Sequence, residues 1–154
     1  MKSMNIGVIG GNKGSQKDYK AAWELGRLIA ENGWILVCGG RAGVMESACK
    51  GAKEKGGLTV GLLPGSDTQE ANQYVAIALP TGLGNARNVL VVRASDCLVA
   101  IDGKHGTLSE VAFALAEGKK VYGINTWDIE GIEKVRSPQD AVERIKRYCE
   151  RKSI

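Results

Sequence analysis

Short apolar runs alternate with amphipathic stretches along almost the whole chain, and that alternation leaves few folds open. MNIGVIG, WILVC, LTVGLL, VAIALP, DCLVAI and KVYGIN each have the length of a strand and little polar alternation. Strands that are apolar on both sides must be covered on both faces, which is the condition of a parallel sheet in an α/β protein. Parallel neighbours also need a crossover between them, most often a helix.

The intervening segments supply those helices. In SQKDYKAAWELGRLIAENG, residues Tyr19, Ala22, Trp23, Gly26, Ile29 and Ala30 share one helical face. Ser15 and Asp18 have capping-box spacing at its start, and Gly33 provides the stop. VMESACKGAKEKG and TLSEVAFALAEG read as further helices, PGSDTQEAN as irregular. NVLVVRAS is rich in β-branched residues, yet a helix must intervene before a parallel DCLVAI, so a helix is predicted there. SPQDAVERIKRYCERK closes the chain as an amphipathic helix, with a serine cap and Pro138 at its first position. The expectation is a Rossmann-like doubly wound parallel sheet in three α/β/α layers, a single domain over residues 1–154.

Glycine usage then locates a site. The 21 glycines in 154 residues are roughly twice the usual proportion. They cluster in GGNKG (Gly10, Gly11), GGRAG (Gly39, Gly40, Gly43), TGLGNAR (Thr81, Gly82, Gly84) and DGKHGT (Gly103, Gly106), each directly after a strand. In a parallel open sheet all four turns fall at the carboxyl edge, where such sheets bind ligands. Glycine there allows positive φ and close backbone approach, and each following helix offers free N–H groups to an anion. A phosphorylated, nucleotide-like small molecule is the ligand this pattern predicts. Arg87, just after a glycine turn, is placed to clamp a phosphate. Thr107 and Glu110 have the Thr-x-x-Glu spacing of a capping box, so they predict a helix start as well as a site. His105, the chain's one histidine, reads as a loop residue.

Several activities lack their signatures. There is no P-loop sequence, no serine nucleophile elbow, and GVIGGNKG departs from the dinucleotide fingerprint. One histidine and four scattered cysteines (Cys38, Cys49, Cys97, Cys149) predict no metal site and point to buried free thiols. The net charge of +4 is spread over a solvated C-terminal helix face, so nucleic acid is not an expected partner. With no membrane-length apolar run and no signal-peptide pattern, a cytoplasmic protein is expected.

Three segments together, GGRAGVMESACKGAKEKGG, TGLGNARNVLVVRASD and GTLSEVAFALAEGKKV, resemble the SLOG superfamily. Within it the chain looks closest to molybdenum cofactor carrier-like proteins. It is more distantly similar to the LONELY GUY (LOG) phosphoribohydrolases, often mislabelled lysine decarboxylases. The likeness runs from the first strand to about residue 125. It implies a carrier or binding protein for the molybdenum cofactor or a nucleotide, with no cofactor required for catalysis, and a homodimer or homotetramer.

The LOG likeness implies the alternative, hydrolysis of the N-glycosidic bond of a nucleoside 5′-monophosphate. Arg87 and Glu110 would then be catalytic, and Gly103, Gly106 and Thr107 would hold the phosphate. Against the family's PGGxGTxxE motif, Asp102 replaces the proline and Lys104 the second glycine, while Asn88 follows Arg87 in place of lysine. Lys104 is therefore itself a candidate phosphate ligand. A PLP-dependent lysine decarboxylase is not expected.

Overall fold

The computed structural model describes residues 3–152. Seven strands form one sheet, β1 (Asn5–Gly10), β2 (Ile35–Cys38), β3 (Thr59–Leu63), β4 (Ile77–Pro80), β5 (Cys97–Ile101), β6 (Val121–Ile124) and β7 (Ile132–Lys134). Their order is β4-β3-β2-β1-β5-β6-β7, and every neighbouring pair is parallel. The five helices are α1 (Gln16–Glu31), α2 (Val44–Glu54), α3 (Asn88–Ala94), α4 (His105–Ala116) and α5 (Pro138–Lys152).

Helices α1, α2 and α5 cover one face of the sheet, over a core that includes Ile6, Val8, Leu36, Val99 and Tyr122. Helices α3 and α4 cover the other, where Val91, Val92, Val111 and Ala114 meet Ile9, Val37, Leu98 and Ala100. The alternate residues of β1 and β5 thus enter opposite cores, as a doubly wound sheet requires. NVLVV is a helix, and Val91 and Val92 are buried within this second core.

Helix α1 begins as its sequence predicts. Ser15 Oγ accepts from Asp18 N–H (3.1 Å), and the Asp18 carboxylate accepts from Ser15 N–H (3.1 Å). Gly33 follows the helix at φ +70°. Ser137 caps α5, its Oγ accepting from Asp140 N–H at 3.1 Å. Helices α1 and α2 approach closely enough that glycine is needed on both. A β-carbon on Gly26 would lie 1.9 Å from the Ala48 carbonyl oxygen, and one on Gly51 would lie 2.0 Å from that of Trp23.

One strand was not anticipated. β7 is a three-residue edge strand within the segment after β6; IEK is too short and too charged to register as an apolar run. The Thr107–Glu110 capping box is also corrected. Helix α4 starts two residues earlier, at His105, with Lys104 as N-cap and no side-chain cap. Thr107 sits in the first turn, packed where a β-carbon on Gly103 would stand 2.3 Å from its hydroxyl oxygen.

Candidate functional site

The strand order reverses between β1 and β5, so the loops leaving these two strands diverge and open a crevice at the carboxyl edge. A cavity of about 310 Å³ occupies that crevice. Gly10, Gly11, Asn12 and Lys13 line it from the end of β1, and Lys104, Gly106, Thr107 and Glu110 from the start of α4. Asn85, Arg87 and Asn88 close it from the turn before α3, with Met45 and Val8 beneath. A larger groove, about 690 Å³, lies at the opposite edge between Met4, Trp34 and Tyr148 and includes none of the four glycine turns.

The start of α4 supplies donors. None of the backbone N–H groups from Gly103 through Thr107 has an acceptor among the described residues; the first capping bond runs from Leu108 N–H to Lys104 O (2.9 Å). With no side-chain cap, these groups are the orphan donors of a helix N-terminus, carrying its partial positive charge. Gly106 has open space where a β-carbon would be, and its φ is not positive. Nothing in the protein's own packing requires glycine there.

Arg87 is only 9% exposed, and the backbone carries it. Its Nε donates to Leu62 O at the end of β3 (2.8 Å), and a terminal nitrogen donates to Gly39 O (3.4 Å). The other terminal nitrogen donates to Asn88 Oδ1. Asn88 in turn donates to Ser109 Oγ (3.1 Å), which ties the arginine turn to α4. All of Arg87's partners are neutral, so its charge is not cancelled by an ion pair. Burial pulls its pKa down while Glu110 opposes that shift.

Glu110 is 7% exposed, lines the cavity, and makes no hydrogen bond with the described residues. Burial pushes its pKa up to about 8; Arg87 resists that rise, and Cys38 adds to it. At neutral pH the side chain is thus mainly a neutral acid with a proton to donate. Lys13, Lys104 and Arg87 then give the cavity three positive charges with little to offset them.

The sequence-derived candidates divide into two groups. Gly10, Gly11, Arg87, Lys104, Gly106, Thr107 and Glu110 converge on the cavity wall. Gly39, Gly40, Gly43, Thr81, Gly82, Gly84 and Gly103 do not line it. Gly39 leaves room for Arg87, and Gly40 is packed against Leu63. A β-carbon on Gly43 would stand 2.3 Å from the Gly11 carbonyl oxygen, so this glycine lets two loops touch. Thr81 donates to Leu63 O (2.7 Å), and Gly82 and Gly84 make the positive-φ turn after β4. Asp102 is not on the wall either; its backbone takes φ +53°. Asn12, Lys13, Met45 and Asn85 were not singled out from the sequence, because isolated residues of these types carry no motif. Among the described residues, no group of three or more His, Cys, Asp or Glu side chains is placed to hold a metal ion.

Comparison with known proteins places this geometry in a family. The model of the SLOG cluster4 family matches residues 3–150. The molybdenum cofactor binding protein of Rippkaea orientalis is 41% identical, with a TM-score of 0.92 over 97% of this chain and 99% of that one. The Moco carrier protein of Chlamydomonas reinhardtii is 37% identical, with a TM-score of 0.89 over 97% and 99%. A probable cytokinin riboside 5′-monophosphate phosphoribohydrolase of rice, LOGL9, is 30% identical over 111 residues. That match covers 70% of this chain and 49% of the rice protein.

Proposed function

The chain belongs to the SLOG cluster4 family, and we propose that it is a binding or carrier protein for a phosphorylated small molecule, the molybdenum cofactor. The observation that carries this reading is the pairing of free donors with an unpartnered buried acid. Gly103 to Thr107 present five backbone N–H groups without acceptors among the described residues; Lys104, Gly106 and Thr107 of this run line the cavity, and Glu110 faces it without a hydrogen bond. A phosphate at this helix start would satisfy the donors and meet Lys13, Lys104 and Arg87. Protonated Glu110 and the amides of Asn12, Asn85 and Asn88 offer donors and acceptors to the uncharged part of the ligand. The solved relatives, one named a molybdenum cofactor binding protein and the other a Moco carrier protein, support the same ligand.

The alternative is a nucleoside 5′-monophosphate phosphoribohydrolase. One observation favours it: Arg87 and Glu110, its catalytic candidates, do line one cavity. Charge weighs against it. Cleaving a ribosyl C–N bond builds positive charge on the sugar, which an ionised carboxylate stabilises and a neutral acid does not. Assays for free base and ribose 5-phosphate from AMP, beside calorimetry with the cofactor, separate the two functions.

A homodimer or homotetramer belongs to this reading. Edge strand β4 places Ile77 and Leu79 beside Val60 and Leu62 in register, 42% and 46% exposed, with Leu83 at 52% nearby. A parallel sheet leaves such a strip uncovered only at a cost in exposed apolar surface. No helix of the described residues is long and apolar enough to cross a membrane. Cys38, Cys49 and Cys97 are buried free thiols, which fits a reducing cytoplasm.

A further inference from the structure

Three consecutive residues after β6 bridge the 102–104 loop and the start of α1, although none of them lines the cavity. Thr126 Oγ1 donates to Asp102 O at 2.6 Å, and Trp127 Nε1 donates to Lys104 O at 3.1 Å. These are the carbonyls on either side of Gly103. The Trp127 ring also stacks on His105, with centroids 6.3 Å apart and planes inclined by 30°. Asn125 reaches the other way, its Nδ2 donating to Asp18 Oδ1 (3.3 Å). Asp18 is 5% exposed and caps α1 directly after the loop that carries Asn12 and Lys13.

The consequence follows from the peptide plane. In a trans peptide the C=O and the next N–H point in opposite directions. Fixing Asp102 O and Lys104 O on residues 126 and 127 therefore turns the N–H groups of Gly103 and His105 away from that segment. Neither N–H has an acceptor among the described residues. Asp102 meanwhile holds φ +53°, a left-handed conformation that aspartate adopts more readily than most non-glycine residues.

We propose that Asn125, Thr126 and Trp127 are positioning residues, a clamp that presets the 102–106 loop to receive the ligand's anionic group and fixes its distance from the Asn12–Lys13 wall. This rests on the reading that the loop binds that group. A loose loop would have to be ordered at the moment of binding, and the clamp removes that entropy loss beforehand.

The test uses Thr126→Val, Thr126→Ser and Trp127→Phe, each checked for folding by circular dichroism, with two readouts. The first is the rate of tryptic cleavage after Lys104, followed by mass spectrometry without ligand. The second is calorimetric affinity for the molybdenum cofactor. Losing one of these hydrogen bonds predicts about tenfold faster cleavage and about tenfold weaker binding in Thr126→Val and Trp127→Phe. Thr126→Ser, which keeps the hydroxyl, should restore both. Cleavage unchanged in both weakened variants overturns the clamp, whatever the affinity. Faster cleavage with unchanged affinity overturns the positioning role. Absence of cofactor binding by the wild type defeats the functional reading instead, and the cleavage rates still decide whether the clamp exists.

Discussion

The guanidinium of Arg87 donates to the Gly39 carbonyl across 3.4 Å, and a β-carbon on residue 39 would stand 2.7 Å from the same nitrogen. The arginine is thus seated by a missing side chain two strands away in sequence. Gly39 does not have positive φ, so alanine is allowed by the backbone there. The obstructing atom is the far end of a flexible side chain. Gly39→Ala is expected to fold, displace the guanidinium and weaken cofactor binding about tenfold, or ~1.4 kcal/mol, by calorimetry.

Gly106 separates binding from packing more cleanly. A β-carbon there meets nothing within 4 Å, and alanine is the better helix former by up to ~1 kcal/mol. If the N–H groups around it receive an anion, Gly106→Ala should raise or preserve the thermal midpoint while reducing cofactor affinity at least about tenfold, since a methyl group keeps the anion from the backbone. Undiminished affinity would show that the anion binds elsewhere.

Glu110 makes a signed prediction. Its folded-state pKa of about 8 exceeds the ordinary value of 4.5, so between those values the folded protein holds a proton that the unfolded chain has lost. Stability contributed by this group is therefore complete below about pH 4.5 and declines as pH rises toward 8. Glu110→Gln should flatten that decline and be more stable than wild type at pH 8.5, by at least ~1 kcal/mol in urea unfolding. Anion affinity should also fall above pH 8 in the wild type, as a negative charge appears in the cavity, and stay level in the variant.

The α1–α2 contact has no bearing on the ligand and tests the fold alone. Gly26→Ala drives a methyl group to 1.9 Å from the Ala48 carbonyl oxygen, and backbone cannot swing aside as a side chain can. The expected loss is ~3 kcal/mol, the upper part of the range for overpacking, read as a lowered urea midpoint with an unchanged slope.

Much of this architecture is legible in the sequence because its signals are local. A six-strand alternation and the Ser15–Asp18 box depend on neighbours a few residues apart, and both are found in the structure. β7 escaped because an edge strand of IEK draws its pairing from β6, not from its own composition. The Thr-x-x-Glu spacing misled for an instructive reason. The pattern is that of a cap, but positive φ at Asp102 and Gly103 starts the helix at His105, leaving Thr107 and Glu110 to face a cavity. Six of the nine glycine candidates lie off the cavity wall because sequence clusters do not distinguish a turn that touches a ligand from one that touches another turn. Asn12, Lys13 and Asn85 join the wall only through folding.

The uncovered strip at β4 predicts the assembly. Leu79→Asp places a charge among exposed apolar side chains, which costs a monomer little and an apolar interface several kcal/mol. Native mass spectrometry should report a multimer for wild type and monomer for the variant.

We propose that the crevice between β1 and β5 carries the molybdenum cofactor and does not hydrolyse a nucleotide. Native mass spectrometry of protein loaded with the cofactor, beside Arg87→Ala loaded in the same way, tests it most directly. A mass increment of one cofactor per chain is expected in wild type, and its loss in the variant. Wild type without that increment, yet releasing free base and ribose 5-phosphate from AMP, would contradict it.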